Sequence, residues 1–408
     1  MITPNKRYRL NPSRAIYVTG IIDDDMVARL SPRILSLQSQ SRDPICVYIN
    51  SRGGYPRYAE SLLNLLNLSN QDMAEPCWII TVVTLHAGSA AADLLASGDY
   101  SIAFPESTIL HHGVRRIDDT PSTLESTSQL SEVLRISNAM YAMKLGRKIE
   151  KRFTFRFFSV RNEFAALREK KNQPNLTDCE CFTEIIREKL SPDAITVLDK
   201  AVNRNERYRK LINSVFEQKG NDLSKAESTL QVQAHILRAI LDVEVADAGT
   251  TGMTDFRVGG LRRLVDDFYL LNEYLTGSTD WRLDQWCKQM GRLCLTDEQG
   301  EEIDALPDEQ EREKRILAIG KPILKPMLSF FIALCHALQE GENELNATDA
   351  FWLGLVDEVV GDEDLWNLRL MYEFTPDPEE AEPNEETVPV PEKAEEVLQA
   401  AGAGAGTS

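Results

Sequence analysis

The sequence contains no hydrophobic run long enough to cross a bilayer, because its most apolar stretch, residues 327–338, falls short of the necessary length. No charged start is followed by an apolar segment, so an export signal is not predicted. The seven cysteines are scattered and odd in number, and Cys179 and Cys181 stand only one residue apart. This spacing provides neither a disulfide framework nor a Cys-x-x-Cys zinc site. Together these absences predict a soluble, cytoplasmic protein with reduced thiols that contacts no membrane.

Positive charge is also scarce, since 45 lysine and arginine residues face 64 aspartate and glutamate residues and give a net charge of -19. A surface of this sign repels both nucleic-acid phosphates and anionic lipids, so neither class of partner is predicted. Part of the excess is local, because nine acidic residues and a single basic one, Lys393, follow residue 374. This Pro- and Glu-rich tail has little apolar content to bury, and we expect residues 375–408 to be disordered.

Metal and phosphate sites lack their usual residues. Only five histidines occur, and the histidines and cysteines do not have the spacing of metal ligands. The glycine pair at residues 259–260 is not followed by the Gly-Lys-Ser/Thr of a phosphate loop. We therefore expect no metal and no cofactor. The 408 residues nevertheless suffice for a large core and more than one domain.

What the sequence does contain is an alternation of strand and helix patterns. Strand-like apolar runs occupy residues 14–20, 45–50 and 78–85, and residues 26–37 carry helical spacing. Such alternation predicts an α/β fold with parallel strands and right-handed crossovers. Loops at the ends of parallel strands converge on one edge of the sheet. Gly54, just after the second run, is therefore expected to lie near the turn that follows the third.

That turn contains Ser89, which stands among alanines and a glycine directly before a short apolar helical run. A hydroxyl that attacks a carbonyl needs an accessible turn, and free N–H groups at a helix start can hold the oxyanion that forms. Ser89 is therefore the candidate nucleophile. The alternative is that its neighbours are small only because a helix packs closely on a sheet there.

Two of the five histidines, His111 and His112, end the apolar run at residues 109–112. A histidine at a strand end is a candidate general base when a serine is available nearby. The alternative is a hydrogen-bonded structural residue. Because side chains alternate between the faces of a strand, these two point to opposite sides.

These segments together resemble the proteolytic subunit of the Clp protease, a member of the ClpP/crotonase superfamily. Residues 49–54, Ile-Asn-Ser-Arg-Gly-Gly, are similar to the family's Ile-Asn-Ser-Pro-Gly-Gly oxyanion loop, with Arg52 in place of proline. Residues 87–92, Ala-Gly-Ser-Ala-Ala-Ala, are similar to its Ala-Ala-Ser-Met-Gly-Ala nucleophile turn. Residues 104–112 are similar to Leu-Pro-Asn-Ser-Arg-Val-Met-Ile-His, and residues 347–357 to Ala-x-Glu-Ala-x-x-x-Gly-Leu-Val-Asp.

The resemblance implies a catalytic triad of serine, histidine and an acid. Counting without gaps places the family's histidine on His112 and its aspartate on Glu342, whereas a slip of one residue would select His111. A glutamate also accepts the imidazole N–H and stabilises the imidazolium. The alternative for Glu342 is a solvated acidic turn. The resemblance further implies an oxyanion hole formed by the backbone N–H groups of Gly54 and Ala90.

The match covers residue 14 to about 150 and about 338 to 362. It implies an α/β fold with a ClpP/crotonase-like parallel-strand core of ββα repeats, and the implied catalytic domain comprises residues 1–153 and 338–374, with a handle helix over about 119–153. Residues 154–337 are predicted to be a large, mostly helical insertion. Within it, helical spacing of apolar residues occurs at residues 191–219, 224–245 and 261–275.

The function implied by the resemblance is a serine endopeptidase that cleaves peptides or unfolded proteins as a homo-oligomer, with an AAA+ unfoldase as a possible partner. One alternative is a catalytically silent paralogue that serves as a structural subunit or scaffold, which the altered acid and the insertion favour. Two weaker alternatives are a crotonase-type enzyme that stabilises thioester enolates and a Ser-Lys peptidase with Lys144 or Lys148 as the base.

Overall fold

The computed structural model describes residues 10–68, 76–115, 124–219, 290–362 and Leu365, all within one compact unit. The described strands are β1 (Ala15–Ile22), β2 (Ile45–Gly54), β3 (Ile79–Gly88), β4 (Tyr100–Ala103), β5 (Thr108–His112), β6 (Glu342–Asn346) and β7 (Glu358–Val359). The described helices are α1 (Asp24–Gln40), α2 (Pro56–Leu66), α3 (Ala90–Ala96), α4 (Leu124–Ser159), α5 (Glu163–Lys171), α6 (Asp178–Arg187), α7 (Pro192–Lys219), α8 (Asp297–Asp304), α9 (Glu309–Leu338) and α10 (Ala347–Trp352).

The strands form one sheet in the order β1-β2-β3-β4-β7, and each pair along this path is parallel. β5 also pairs in parallel with β3, through the register Gly88 to Leu110. β6 then adds to β5 as an antiparallel strand. The α/β class with a parallel-strand core is thus confirmed, while the sequence pattern had not indicated the antiparallel strand.

The starts of α1 and α2 follow from the residues at their first positions. The Asp23 side chain accepts the Met26 N–H and begins α1, and Pro56 begins α2 at a position that needs no amide hydrogen. Apolar residues three and four apart on α1 are buried against the sheet. β3 runs through the core, where four of its apolar side chains are at most 3% exposed: Ile79, Ile80, Val82 and Val83. This burial on both faces is typical of a central parallel strand.

The described helices between residues 154 and 337 pack directly against α4, the long helix that follows the first five strands. Phe153 on α4 stacks on Phe331 of α9 with ring centroids 4.7 Å apart, and Phe182 of α6 meets Phe153 edge-on at 5.5 Å. A Cβ on Gly354 would lie 2.9 Å from Phe153 Cα, so glycine is required where the C-terminal segment crosses α4. The predicted helix at 191–219 is confirmed as α7. Those predicted at 224–245 and 261–275, and the tail at 375–408, lie outside the described residues.

A buried ion pair joins α4 to the C-terminal segment. Arg152 Nε donates to Asp357 Oδ2 at 2.7 Å, and the two side chains are 3% and 0% exposed. The same carboxylate accepts the Ser101 N–H from β4. Because an unpaired buried charge is costly, this pair holds the second half of α4, the C-terminal segment and β4 in one arrangement.

Among the described residues, no single helix has both the length and the apolar character needed to span a membrane. Two segments of α9, Glu309–Leu324 and Pro326–Leu338, meet at a 50° bend and would satisfy those criteria only when taken together. The second segment contributes buried core residues such as Phe330 and Phe331.

Candidate active site

Ser89 occupies the sharp turn between β3 and α3. Its backbone φ of 54° lies in the left-handed region, which Asn172 alone shares among the non-glycine residues of the described ranges. A positive φ on a residue with a Cβ costs about 1–3 kcal/mol, and such strain is concentrated at functional sites. Ser89 N–H donates to Leu110 O at 2.8 Å, and Ser89 O accepts the Ala92 N–H at 2.9 Å. The turn therefore presents a half-buried hydroxyl at the edge of the sheet.

The glycine pair after β2 lies against this turn. A Cβ on Gly53 would lie 2.8 Å from Ser89 Cβ and 3.2 Å from Ala90 N, so a larger residue does not fit there. A Cβ on Gly54 would instead meet the backbone of Ile22 on β1. The loop lies against the Ser89 turn as predicted, but the residue in contact is Gly53 rather than Gly54, which the sequence had singled out.

Ser51 shapes the same loop from within. Its Oγ accepts the Gly53 N–H at 3.0 Å and donates to Gly20 O at 2.5 Å. Ser51 is only 2% exposed, so these bonds are shielded from water. Since the Gly53 N–H is already bonded, it is not a donor for a ligand at Ser89.

His112 ends β5, two residues beyond the Leu110 carbonyl that binds Ser89. Its side chain is half-buried, and its Nδ1 lies 2.6 Å from Gly113 O. A carbonyl oxygen only accepts, so Nδ1 carries the proton and the neutral ring keeps its lone pair on Nε2. That is the tautomer required of a base that takes a proton through Nε2. Within the described part of the chain, no hydrogen bond joins this ring to Ser89 or Glu342.

His111 faces the opposite side of β5 and is 2% exposed. Burial, followed by the nearby charges of His112 and Lys148, lowers the pKa of His111 to about 4. The ring is therefore neutral near pH 7, and its Nε2 atom has no hydrogen-bond partner among the described residues. The alternation of the two histidines between faces is confirmed.

Glu342 begins β6 and pairs directly with His112 in the antiparallel register. Directly opposed residues of such a ladder share one face, with Cβ atoms about 4.5–5.5 Å apart. The Glu342 carboxylate, however, forms an ion pair with Arg115, three residues after His112. Both charged side chains are more than half exposed. The β5–β6 pairing thus brings the predicted histidine and acid together, and an arginine that the sequence had not singled out holds the acid.

A second group of charged side chains lies where α2, α3 and α4 meet. Burial raises the pKa of Asp93, and burial lowers the pKa of Lys148, whose Nζ donates to Asp93 O at 3.3 Å. Lys144 forms an ion pair with Glu60 on α2. Both lysines considered as alternative bases therefore have partners of their own.

The sequence did not assign individual roles to Ser51, His86 and Arg115. Ser51 belongs to the recognised loop, and its role depends on its spatial neighbours Gly20 and Gly53. His86 Nδ1 lies 2.8 Å from Thr108 Oγ1, and its Nε2 lies 3.0 Å from the position of a Cβ on Gly88. A histidine three residues before the serine was a usable signal, whereas nothing in the sequence marks Arg115.

Within the described ranges, no cluster of histidine, cysteine, aspartate and glutamate could hold a metal ion.

The residues around Ser89 lie in a part of the chain that is similar to known proteins. Residues 4–153 match the model of the Clp protease family. The resemblance to the Clp protease family is confirmed. An ATP-dependent Clp protease proteolytic subunit from Carsonella ruddii (strain PV) is 32% identical over 101 residues, which are 24% of this chain and 49% of that protein. The subunit of the same description from Ligilactobacillus salivarius (strain UCC118) is 33% identical over 107 residues, 26% of this chain and 51% of that protein.

The chain thus spans about half the length of these Clp protease relatives. The Clp protease match includes Ser89, the glycine pair and both histidines of β5, and it ends before Glu342. The likeness to the Clp protease family therefore covers the turn with Ser89 and does not extend to Glu342 or to helices α5 to α9.

Proposed function

We propose that this protein is a serine endopeptidase in which Ser89 attacks the peptide carbonyl. The observation that carries the proposal is the strained backbone of Ser89, with φ of 54°, at a strand-to-helix turn against which Gly53 packs. A structural serine has no need of such strain, whereas a nucleophile at a sharp turn exposes its hydroxyl to substrate. The match to the Clp protease family over the same residues supports this assignment.

His112 is the proposed general base. Its Nδ1–H is oriented by Gly113 O at 2.6 Å, so Nε2 is the atom that accepts the serine proton and returns it to the leaving amine. The buried alternative, His111, has its pKa lowered to about 4 and lies on the other face of β5. Side-chain rotation of His112 toward Ser89 completes the pair.

Glu342 is the proposed third member, supported by its position opposite His112 in the β5–β6 register. Its carboxylate must leave Arg115, and the His112 Nδ1–H must leave Gly113 O, before Glu342 accepts that N–H and stabilises the imidazolium. The oxyanion hole is proposed to consist of the Gly54 and Ala90 N–H groups. The Tyr55 N–H donates to Ile22 O on β1 at 2.9 Å, so it is not one of these donors.

The second candidate function is a catalytically silent structural subunit. It is favoured by one observation, the ion pair of Glu342 with Arg115 in place of a bond to His112. In that case the Ser89 turn retains the fold of a protease and performs no chemistry. The two candidates differ in the nucleophilicity of Ser89, which is measurable.

Labelling with a fluorophosphonate separates the two candidates. We expect the folded protein to form a covalent adduct on Ser89, because the probe reacts with serines whose hydroxyl is activated by a base. Mass spectrometry of the digested protein locates the adduct, and the Ser89→Ala variant must remain unlabelled. Absence of labelling on protein with a native circular dichroism spectrum would establish the silent subunit instead.

We further propose that the protein acts on peptides or unfolded proteins as a homo-oligomer, with an AAA+ unfoldase as its partner. The relatives' description as proteolytic subunits of an ATP-dependent protease supports a partner that uses ATP. The expected solution mass is a multiple of the 46.0 kDa chain. Light scattering coupled to size exclusion measures it. A mass of one chain across the accessible concentration range rejects the oligomer and leaves a monomeric enzyme.

A further inference from the structure

A cavity of about 510 Å³ lies beside the candidate site, within the size range of ligand pockets, about 300–1,000 Å³. One wall is the segment after β5 with Arg115, together with Glu342 at the start of β6. The opposite wall comes from residues between 154 and 341, chiefly Arg204 of α7 and His336 of α9. The helices of this region therefore complete a pocket that adjoins the proposed triad.

The charged groups of the cavity occur as two ion pairs. Arg115 binds Glu342, and Arg204 binds Glu340, with Arg204 only 8% exposed. Burial, together with the charge of Arg204, lowers the pKa of His336 to about 3, so this ring is neutral at pH 7. The cavity walls thus carry two guanidinium groups and two carboxylates, and every carboxylate is engaged by an arginine.

One of these pairs conflicts with the proposed triad. When Glu342 turns to His112, the guanidinium of Arg115 loses its partner at the rim of the cavity. A carboxylate from a ligand restores the balance, because the planar guanidinium binds carboxylates through two parallel hydrogen bonds. A cationic or neutral ligand leaves Arg115 on Glu342 and the acid away from His112.

On this basis, and resting on the proposed peptidase function, we propose that the cavity is a subsite for a carboxylate of the peptide substrate, which binds Arg115 and releases Glu342 to His112. The carboxylate is either an acidic side chain or the C-terminal carboxylate of the peptide. Asn138, whose Oδ1 accepts the Val114 N–H at 2.6 Å, keeps its amide Nδ2 next to Gly113 as a further donor in the same wall.

The proposal is tested by hydrolysis of fluorogenic peptides in matched pairs. One pair differs by Glu against Gln near the cleaved bond, a second by a free against an amidated C-terminus, and a Lys peptide serves as the cationic comparison. We expect kcat/KM to favour one of the two carboxylates by about tenfold, since a hydrogen bond to a charged group has that effect. The pair with the larger ratio identifies whether the bound carboxylate is an acidic side chain or the C-terminus of the peptide. Ratios below twofold in both pairs, or preference for the Lys peptide, overturn the proposal.

The Arg115→Gln variant assigns the preference to this residue. We expect the ratio within the favoured pair to fall to about one in the variant. Arg292→Gln is the matched control, because Arg292 is an exposed arginine that pairs with Asp304 away from the cavity. The control must keep the native ratio. An Arg115→Gln protein that retains the native preference overturns the proposal.

Binding to Ser89→Ala separates this proposal from the peptidase function. The same labelled peptides are titrated into the variant and followed by fluorescence anisotropy. Tighter binding of the carboxylate member, by about tenfold, supports the subsite even if the native protein hydrolyses nothing. Equal binding of both members, in a variant that does bind peptide, removes the subsite whether or not hydrolysis occurs, and lack of binding by every peptide also rejects it.

Discussion

Replacement of Ser89 by alanine is expected to lower kcat/KM for peptide hydrolysis by about four to six orders of magnitude. The hydroxyl is the atom that forms the covalent bond, so its loss leaves only binding and the oxyanion donors. Steady-state cleavage of a fluorogenic peptide by the native protein and the variant measures the effect. Alanine keeps the backbone N–H that donates to Leu110 O, and it adds no atoms beyond Cβ. The turn at residue 89 can therefore form in the variant as it does in the native protein.

Ser97→Ala is the control for this experiment. Ser97 is half-buried at the end of α3 and donates to Asp93 O within the same helix, so its loss should change kcat/KM by less than about twofold. His112→Ala should approach the Ser89→Ala level, whereas His111→Leu should retain most activity. Undiminished hydrolysis by Ser89→Ala would assign the activity to another residue or to a contaminant.

The second large effect concerns stability in acid. His111 and His336 are 2% and 5% exposed, and burial lowers their pKa values to about 4 and about 3. An unfolded histidine has a pKa of about 6.5. Between pH 6.5 and 4 the unfolded chain therefore binds more protons, so each buried ring reduces the free energy of unfolding as the pH falls. From pH 7 to pH 5 the expected loss is about 2 kcal/mol for each histidine.

The test compares variants, because other groups act in the opposite direction. Burial raises the pKa of Glu150 to about 7, so its protonation in the folded state increases stability as the pH falls. Urea unfolding at pH 7 and pH 5 is measured for the native protein, His111→Leu, His336→Leu and the double variant. We expect the loss of unfolding free energy between pH 7 and pH 5 to be smaller than in the native protein. The difference should be about 2 kcal/mol in each single variant and about 4 kcal/mol in the double variant. An identical pH dependence in all four proteins would show that these rings are not buried as neutral groups.

The parallel arrangement of the strands that lead to Ser89 was predictable from local pattern. Apolar runs of strand length separated by helical spacing specify parallel strands, and their ends must meet at one edge. For that reason the contact between the glycine loop and Ser89 followed from the sequence. The opposite faces of His111 and His112 followed from strand periodicity alone.

The partner of Glu342 was not predictable in the same way. Its carboxylate has two candidates, His112 across the ladder and Arg115 beyond the strand end, and the choice depends on side-chain geometry rather than on spacing. Likewise, the sequence offered no means of placing Arg204 and His336, which are separated by more than a hundred residues, on one cavity wall. Such contacts arise from packing between distant elements.

By itself, the sequence determined the parallel α/β core, the position of Ser89 at the end of a strand and the placement of His111 and His112 on opposite faces of another. These properties follow from periodicity and from the steric demands of small residues, which act over a few neighbouring positions. Only the tertiary structure decided that Arg115 holds Glu342 and that α7 and α9 line a charged cavity at Glu342. The reason is physical, since competition among polar groups is settled by which of them the folded chain brings within hydrogen-bonding distance.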